Sequence, residues 1–526
     1  MAYVSNALRL ASITCACASL LFCGQTLAAP SNTECNARVN ETLAKLLECI
    51  QQQPLYEHLV DFQHISDANP SPDGHGNRNT GTSGYKESVD YVAGLMRAAG
   101  YKVTIQPYHW MDFRLTGVPT FATAKRTYAM SSDWYVARLS GQGDVDAPVQ
   151  PVGRIMVDGG ATGSTSACSL NDFAGFRRGN VALVQRGGCE FDVKVRNAQA
   201  AGAAGVVLFN TADIGIRDND RGMPKTGVAY PARLTEAASI PVVGAASYDV
   251  GAELYRDYQA GTAPKARISI HAQTNLSAID YNLIADSPFG NPSRVVVVEG
   301  HLDAIYGAGI LDNASGSATI LEVALKLAHT PTVNQLRYIW FGGEELGLLG
   351  SKYYTGHLTP SELRNIAYDI DSDVTATPNY AVEIADPQGA GNVSKFPPNV
   401  VPQSRRGDNY FLGYFRSVGI PAILAPAGND GTDSNSFSLV GVPNTGIFTQ
   451  QDCCKGDFSV KKWGGFLGNY EGKVPGYNGG CVDYPGRWCD NIDNALPFVL
   501  EFSSKAFAYV TFKLANDANL PSRARE

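Results

Sequence analysis

The strongest constraint on the fold is a run of four consecutive valines, residues 295–298, flanked by Arg294 and Glu299. β-branched residues favour strands, and an unbroken apolar run indicates a strand that is buried on both faces. Residues 315–328 then show helical spacing, and further strand candidates lie at 336–341, 364–370 and 443–449. This alternation predicts an α/β fold with a mixed, mostly parallel sheet flanked by helices.

The part of the chain before these elements has two different sequence patterns. Residues 34–108 are largely helical in pattern, with a helix expected at 88–100 and a strand at 101–105. From about residue 127 to residue 270, short β runs are broken by Gly and Asp, for example at 181–184 and 205–209. This change in sequence pattern predicts a separate β-rich unit placed ahead of the α/β sheet.

The first 28 residues have the pattern of a secretory signal peptide. One positive charge precedes an apolar stretch from Leu10 to Cys23, and small residues follow up to Ala28 and Ala29. An uncleaved membrane anchor is the competing interpretation, but the apolar run is short for a span of about 20 residues. We therefore expect a secreted protein, extracellular or periplasmic, with no membrane association after the signal peptide is removed.

Cysteine usage agrees with an exported protein. Of the 11 cysteines, Cys15, Cys17 and Cys23 leave with the signal peptide, so eight remain. An even number outside the cell indicates disulfides. Proximity in sequence favours Cys35 with Cys49, Cys168 with Cys189, and two bridges with open pairing among Cys453, Cys454, Cys481 and Cys489. A zinc–thiolate site in the last group is the alternative, and the irregular spacing disfavours it.

The charge balance limits the class of partner. The chain carries 42 Lys and Arg against 50 Asp and Glu, a formal net charge of −8, and contains no basic cluster. Nucleic-acid binding depends on such clusters, so a nucleic-acid partner is not expected. Peptides or proteins are the expected partners.

Polar side chains follow the predicted strands at the point where each strand ends. His301 and Asp303 follow the valine strand, and Asp312 precedes the next helix. Glu344 and Glu345 follow the strand at 336–341, and Asp371 and Asp373 follow the strand at 364–370. The carboxyl ends of parallel strands meet at one edge of a sheet. So many carboxylates at one edge would repel each other unless a cation neutralised them, which predicts a metal site.

Two resemblances make these predictions specific. Residues 300–303 (GHLD), 311–316 (LDNASG), 344–347 (EELG) and 372–379 resemble, in order and spacing, the zinc aminopeptidases of family M28, over about residues 281–494. Residues 179–191 (GNVALVQRGGCEF) resemble the protease-associated (PA) domain, a β-rich module without catalytic residues. The expected division is a signal peptide at 1–28, peptidase segments at 29–130 and 276–526, and an inserted PA domain at 131–275.

The M28 resemblance implies a zinc-exopeptidase type of fold, two Zn²⁺ ions and a role for each residue. Asp312 would bridge two metals, His301 would bind one, and Glu345 and Asp373 would be ligands on the two sides. Glu344 would be the general base and Asp303 would orient His301. Counting from Tyr368 favours Asp371 over Asp373, whereas counting back from Pro378 favours Asp373, and we take Asp373 as the ligand.

The chain departs from the M28 pattern at the last ligand. That ligand is a His shortly before a Cys-Asp pair such as Cys489-Asp490, but all eight His of this chain lie at or before His357. Asp483 could replace it as an oxygen ligand, and Tyr484 could stabilise the oxyanion. Three possibilities stay open: an altered second metal site, an enzyme with one tightly bound metal, or a fold that has lost turnover.

Two functional hypotheses follow. The first is a secreted, zinc-dependent aminopeptidase that hydrolyses N-terminal peptide bonds, with carboxypeptidase or glutaminyl-cyclase activity as variants on the same scaffold. The second is a catalytically impaired peptide- or protein-binding protein on the same fold. A serine hydrolase is excluded because no Gly-x-Ser-x-Gly elbow is followed by suitably ordered acid and His residues. Asp433 is interpreted as a structural residue at the floor of the cleft.

Overall fold

The computed structural model describes most of the chain after the expected signal peptide. The described residues are 29–71, 74–130, 132–157, 164–212, 229, 232–262, 264–451, 453–471 and 490–520. The signal peptide predicted at 1–28 lies outside them. Within the described residues, every helix is too short or too polar to cross a membrane.

The chain forms eighteen strands within these residues. They are β1 (Lys102–Leu115), β2 (Thr120–Ala122), β3 (Thr127–Tyr128), β4 (Tyr135–Val136), β5 (Gly143–Pro151), β6 (Val181–Gln185), β7 (Gly205–Phe209), β8 (Val242–Ala246), β9 (Lys265–Ile270), β10 (Ala272–Asp286), β11 (Asn291–His301), β12 (Asn334–Phe341), β13 (Ile366–Ser372), β14 (Glu383–Ala385), β15 (Ile423–Leu424), β16 (Asn444–Phe448), β17 (Cys453–Lys455) and β18 (Gly468–Asn469).

Thirteen α-helices accompany the strands in the same part of the chain. They are α1 (Asn32–Ala37), α2 (Leu43–Cys49), α3 (Gln52–Ala68), α4 (Ser83–Ala98), α5 (Phe191–Ala200), α6 (Tyr248–Gln259), α7 (Ser315–Leu327), α8 (Leu349–Gly356), α9 (Pro360–Asn365), α10 (Val400–Val418), α11 (Ser434–Leu439), α12 (Asp457–Trp463) and α13 (Pro497–Ala515).

The main sheet has eight strands in the order β1-β10-β12-β11-β13-β16-β14-β15. Its four central strands, β12, β11, β13 and β16, are parallel to one another, and antiparallel pairing begins at β10 and β14. The predicted mixed sheet with a parallel centre is therefore confirmed. Since β12, β11 and β13 run in one direction, their carboxyl ends lie along one edge, and that edge carries the candidate site.

The valine strand is buried on both faces, as the sequence predicts. Val296 and Val298 belong to a core cluster with α7 and α13, whereas Val295 and Val297 pack in a second cluster with Phe341 and Phe437. Side chains alternate between the faces of a strand, so His301 and Glu299 share the face of Val297. The residues that end this strand are therefore aimed at the α8 and α11 side.

One strand prediction starts too early. The candidate at 364–370 begins as a strand only at Ile366, because α9 continues to Asn365. The helix is specified by a capping box in which Thr359 and Glu362 bond each other's backbone amides, with Pro360 at the first turn. Local capping thus outweighs the apolar pattern at this position.

A second eight-stranded sheet has the order β3-β2-β9-β5-β6-β7-β8-β4. Its strands lie between residues 120 and 270, and its core clusters are separate from those of the main sheet. β1 and β10 flank this segment and pair with each other in the main sheet. The segment is thus an insertion between two neighbouring strands of the main sheet.

The described residues form two disulfides, Cys35–Cys49 and Cys168–Cys189, which are two of the pairs that sequence proximity predicts. Cys481, Cys489 and the side chains of Cys453 and Cys454 lie outside the part of the chain that the structure describes.

Candidate metal centre

Three predicted ligands meet at the carboxyl edge of the main sheet. His301 is the last residue of β11, Asp373 follows β13, and Asp312 lies in a short turn before α7. The Nε2 atom of His301 lies 2.9 Å from Oδ1 of Asp312 and 3.3 Å from Oδ1 of Asp373. Among the described residues, this is the only group of three such side chains whose ligand atoms lie within 4.8 Å of one another.

This group fits a bound cation. Oδ1 of Asp373 is buried and accepts no hydrogen bond, and it faces the imidazole nitrogen of His301. One imidazole and two carboxylates within reach of a common point match the ligand types of zinc. Asp371, the alternative to Asp373, is not in this group.

The pKa of His301 reflects the acidic side chains that surround it. Burial alone lowers the pKa of His301, but the negative charges of Asp373 and Glu344, with hydrogen bonds to Asp303 and Asp312, raise it well above its usual value. The site therefore holds excess negative charge that attracts a cation. A metal ion in the same place would replace the proton on the imidazole.

Glu344 and Glu345 follow β12 in a tight turn. The carbonyl of Glu344 accepts hydrogen bonds from the amides of Gly347 and Leu348, both at 2.8 Å. Glu344 is 8 % exposed and Glu345 is 6 % exposed, and Oε2 of Glu344 lies 4.0 Å from Nε2 of His301. Burial is the main cause that raises the pKa of Glu344 well above its usual value, and the charge of His301 opposes it. The pair thus lies at the same edge as the candidate ligands.

Asp303 connects several parts of the site. Its backbone carbonyl lies 3.0 Å from Nδ1 of His301, which leaves Nε2 for the other candidate ligands. Its carboxylate oxygen Oδ1 accepts the backbone amide of Glu344 at 3.2 Å and lies 3.5 Å from Nδ1 of His301. The other oxygen, Oδ2, accepts the hydroxyl of Thr80 at 2.7 Å. The carboxylate therefore spans the proposed ligand and the proposed base.

Asp312 is held by residues from distant segments. The carboxylate of Asp490 accepts the amides of Leu311 and Asp312, at 2.7 and 3.2 Å. The neighbouring Asn313 donates to the carbonyl of Ser372 at 2.9 Å, which ties the turn to the end of β13. Burial raises the pKa of Asp490 to about 6, while those two amide hydrogen bonds lower it.

A layer of buried acids lies behind the group on the same sheet face. Glu299 is opposite Asp371 in the β11–β13 register, and Asp369 is two residues earlier on β13. Burial is the main cause that raises the pKa of each of these three carboxyls, and the charges of neighbouring Asp residues raise it further. Asp433, 2 % exposed, completes the layer, and burial raises its pKa to about 7. Its burial agrees with a place at the floor of the site.

Sequence reasoning missed part of this arrangement. Glu299 carried a readable signal, because a Glu at the end of a four-valine strand and two residues before His301 must share its face. Arg78 and Thr80 carried none, since the polar turn at 77–82 looks like an ordinary helix cap. Asp483 and Tyr484 lie outside the described residues. His357 is exposed, stacks on Tyr353 with ring centroids 3.9 Å apart, and is not part of the group.

Comparisons with known proteins agree with this geometry. The profile of peptidase family M28 matches residues 282–453, and that of the PA domain matches residues 149–254. The chain is 33 % identical over 477 residues to an aminopeptidase of Pseudomonas aeruginosa, covering 89 % of this chain and 81 % of the relative. It is also 32 % identical over 271 residues to leupeptin-inactivating enzyme 1 of Streptomyces exfoliatus, covering 50 % and 56 % of the two chains.

Solved structures share the fold. An aminopeptidase from Aneurinibacillus sp. strain AM-1 superposes with a TM-score of 0.66 at 20 % identity, covering 91 % of this chain and 98 % of that one. A zinc aminopeptidase from Bacillus subtilis gives 0.58 at 20 % identity, covering 90 % and 97 %.

Fold and site together define a metallopeptidase with an inserted PA domain. The chain belongs to peptidase family M28.

Proposed function

We propose that this protein is a secreted zinc aminopeptidase that hydrolyses the N-terminal peptide bond of peptides. The observation that carries the proposal is the meeting of His301, Asp312 and Asp373, with Glu344 within 4.0 Å of the imidazole. The relationship to the Pseudomonas aeruginosa aminopeptidase supports the same reaction class. Substrates are peptides or proteins with a free N-terminus.

In this proposal His301, Asp312 and Asp373 would hold one zinc ion, and Asp312 and Glu345 would supply ligands to a second. When bound, zinc lowers the pKa of a water molecule and polarises the peptide carbonyl. Asp303 fixes the ring of His301 so that Nε2 faces the metal position, because Nδ1 donates to the carbonyl of Asp303. Asp490 holds the backbone of Asp312 and so fixes the residue shared by the two positions.

Glu344 is the proposed general base. It takes the proton of the attacking water at a carboxylate oxygen and passes it to the leaving amine. The burial that raises its pKa increases its affinity for that proton. Its backbone is fixed by Asp303 and by the turn that contains Gly347, so the carboxylate is positioned before the substrate arrives.

The two metal positions are unequal in this chain. All eight His residues lie in the described part of the chain, and only His301 belongs to the ligand group. The second position therefore has oxygen ligands, with Asp483 as the proposed replacement for the missing imidazole and Tyr484 as a proposed oxyanion donor. Zinc prefers nitrogen and sulfur ligands, so a position with only oxygen ligands binds the second zinc ion more weakly than the first.

The missing imidazole also supports a second candidate, a catalytically impaired binding protein on this fold. The retained pair Glu344 and Glu345 favours the enzyme, because a binding protein has no use for a buried general base. The observed disulfides fit secretion, and we propose cleavage of the signal peptide near Ala28 or Ala29. We also propose the division into 29–130, 131–275 and 276–526, with the PA domain limiting access to the metals.

The decisive experiment measures zinc per chain by mass spectrometry and hydrolysis of aminoacyl-p-nitroanilides by the mature protein. We expect Glu344→Gln to lower kcat by about 10²- to 10⁴-fold with zinc content unchanged. Glu236→Gln is the matched control, because Glu236 is exposed in the inserted segment and pairs with Arg196. It should leave both quantities unchanged.

The zinc content per chain distinguishes between the hypotheses about the two metal positions. One tightly bound zinc and a second ion lost on dialysis would support the unequal positions. Zinc near zero together with no hydrolysis by the wild type would contradict the peptidase and favour the binding protein.

A further inference from the structure

We propose that the segment from Arg78 to Thr80 positions the metal centre, although it lies in the N-terminal part of the chain, before the insertion. This inference rests on the proposed function, because it assumes that His301 and Asp312 are metal ligands. Thr80 is 223 residues from its partner Asp303 in sequence. The segment therefore acts on the site through tertiary contacts with the ligand loop at 302–309.

Arg78 fixes the backbone of that loop. The side chain is fully buried, and its guanidinium group donates to three carbonyls on both ends of the loop. The distances are 2.9 Å to Leu302, 2.7 Å to Ala308 and 2.8 Å to Gly309. A planar guanidinium with a fixed fork of donors sets the relative positions of its acceptors. One end of the loop, Leu302, is the chain neighbour of the proposed ligand His301, and the other end, Gly309, lies three residues before the proposed ligand Asp312.

The charge of Arg78 is kept although it is buried. Burial lowers its pKa to about 10, and the negative charges of Asp490 and Asp303 raise it. The group therefore remains cationic at neutral pH. It contacts the ring of Phe62 at 4.8 Å on its other side, so it is enclosed between α3 and the ligand loop. A buried cation is costly unless its hydrogen bonds are satisfied, and here the loop carbonyls satisfy them.

Thr80 fixes the carboxylate of Asp303. Its hydroxyl donates to Oδ2 at 2.7 Å, and this leaves Oδ1 for the amide of Glu344 at 3.2 Å. A carboxylate held at one oxygen cannot rotate freely about its side-chain torsion. Loss of the hydroxyl would leave Oδ2 buried without this donor, and Asp303 could turn away from His301 and Glu344.

The segment is itself anchored, so it can hold other groups in place. The amide of Arg78 donates to the carbonyl of Gly307 at 3.0 Å, and the amide of Ala304 donates back to the carbonyl of Arg78 at 3.3 Å. The amide of Gly81 donates to the buried carboxylate of Asp280 at 2.8 Å. These bonds attach the segment to both the ligand loop and β10, so the N-terminal part of the chain is a working part of the site.

The test compares variants at two threonine positions. Thr80→Val removes the hydroxyl at constant shape, Thr80→Ser keeps it, and Thr42→Val removes the N-cap of α2, which bonds the amide of Lys45. Zinc affinity is measured by competition with a chromogenic chelator, and the melting temperature by circular dichroism of the metal-free protein. We expect Thr80→Val to raise the zinc dissociation constant by about 10- to 100-fold, with Thr80→Ser close to wild type.

Thr42→Val is the control for stability alone, because loss of a cap lowers the melting temperature without touching the segment or Asp303. It should leave the zinc dissociation constant unchanged. Thr80→Ala is the second variant in case the valine does not fold, and it should also weaken zinc binding. Wild type that binds zinc, with Thr80 variants of equal affinity, would overturn this inference alone. Wild type without zinc would overturn the proposed function together with it.

Discussion

Asp371 and Asp373 lie on the same face of β13 but have different surroundings. Asp373 lies past the end of the strand, 3.3 Å from His301, with a side chain that is 16 % exposed. Asp371 is 2 % exposed and lies opposite Glu299 in the sheet. A shift of two residues along a strand keeps the face but moves the side chain about 7 Å along the strand. Position along the strand thus separates a candidate ligand from the acid layer behind it.

Glu383 is a buried acid outside the ligand group, at the start of β14 opposite Phe448. Burial raises its pKa from 4.5 to about 7, and a hydrogen bond with Gln450 lowers it. A carboxyl with a raised pKa in the folded state stabilises that state when protonated. Its stabilising contribution is complete below pH 4.5 and is lost as the pH rises through about 7.

We predict that Glu383→Gln becomes more stable relative to wild type as the pH is raised from 4.5 to 8, by about 1 to 3 kcal/mol. Urea unfolding at several pH values measures this difference. Glu362→Gln is the control, because hydrogen bonds with Thr359 lower the pKa of Glu362 below 4.5, and its stabilising contribution is therefore present above that pH. The stability difference between that variant and wild type should stay nearly constant over the same range. Parallel pH profiles for wild type and Glu383→Gln would contradict the prediction.

At the scale of elements, the turn between β11 and α7 decides where Asp312 lies. Gly309 ends the ligand loop with φ +56°, in the left-handed region, and a Cβ there would lie 2.3 Å from the Cβ of Ala304. The same Cβ would lie 2.6 Å from the carbonyl oxygen of Asp312. The turn can therefore accept no side chain without moving the residue that the two metal positions share.

We predict that Gly309→Ala lowers both stability and zinc affinity, because it adds strain of about 1–2 kcal/mol and displaces the turn. Gly100→Ala is the matched control, since Gly100 has φ +89° with no atom within 4 Å of an added Cβ. It should lower the melting temperature without changing the zinc dissociation constant. Chelator competition and thermal unfolding of both variants make the comparison. Equal zinc affinity of Gly309→Ala and wild type would contradict it.

At the scale of the whole molecule, two sheets have separate hydrophobic cores. Leu183 of β6 is fully buried in a core of the second sheet, and Leu321 of α7 is fully buried in the core of the main sheet. The inserted segment begins and ends between the paired strands β1 and β10. Hydrophobic cores of its own allow such a segment to unfold as a separate unit.

We predict that Leu183→Ala and Leu321→Ala each lower the free energy of unfolding by about 2–5 kcal/mol. The two variants should affect two different unfolding transitions. Calorimetry with and without zinc distinguishes them, because bound zinc raises only the transition of the unit that holds the site. Leu321→Ala should lower the zinc-sensitive transition, and Leu183→Ala the other. A single transition lowered equally by both variants would contradict separate units.

The sequence alone determined the class of fold and most of the candidate site. The valine strand, the helix after it and the acids at the strand ends are local patterns, and parallel strands bring their carboxyl ends to one edge whatever the loops do. The disulfides Cys35–Cys49 and Cys168–Cys189 were likewise predictable, because their partners are close in sequence. Local sequence patterns were sufficient for the prediction wherever the interacting groups belong to neighbouring elements.

The tertiary structure decided what depends on contacts between distant segments. The grouping of Asp373, rather than Asp371, with His301 follows from the register of β11 and β13, which no local pattern specifies. The contacts of Arg78 and Thr80 with the ligand loop join residues more than 220 positions apart. Such pairs form because folding packs the turn before α4 against the ligand loop, and the side chains of Arg78 and Thr80 carry no sequence signal that distinguishes them from an ordinary helix cap.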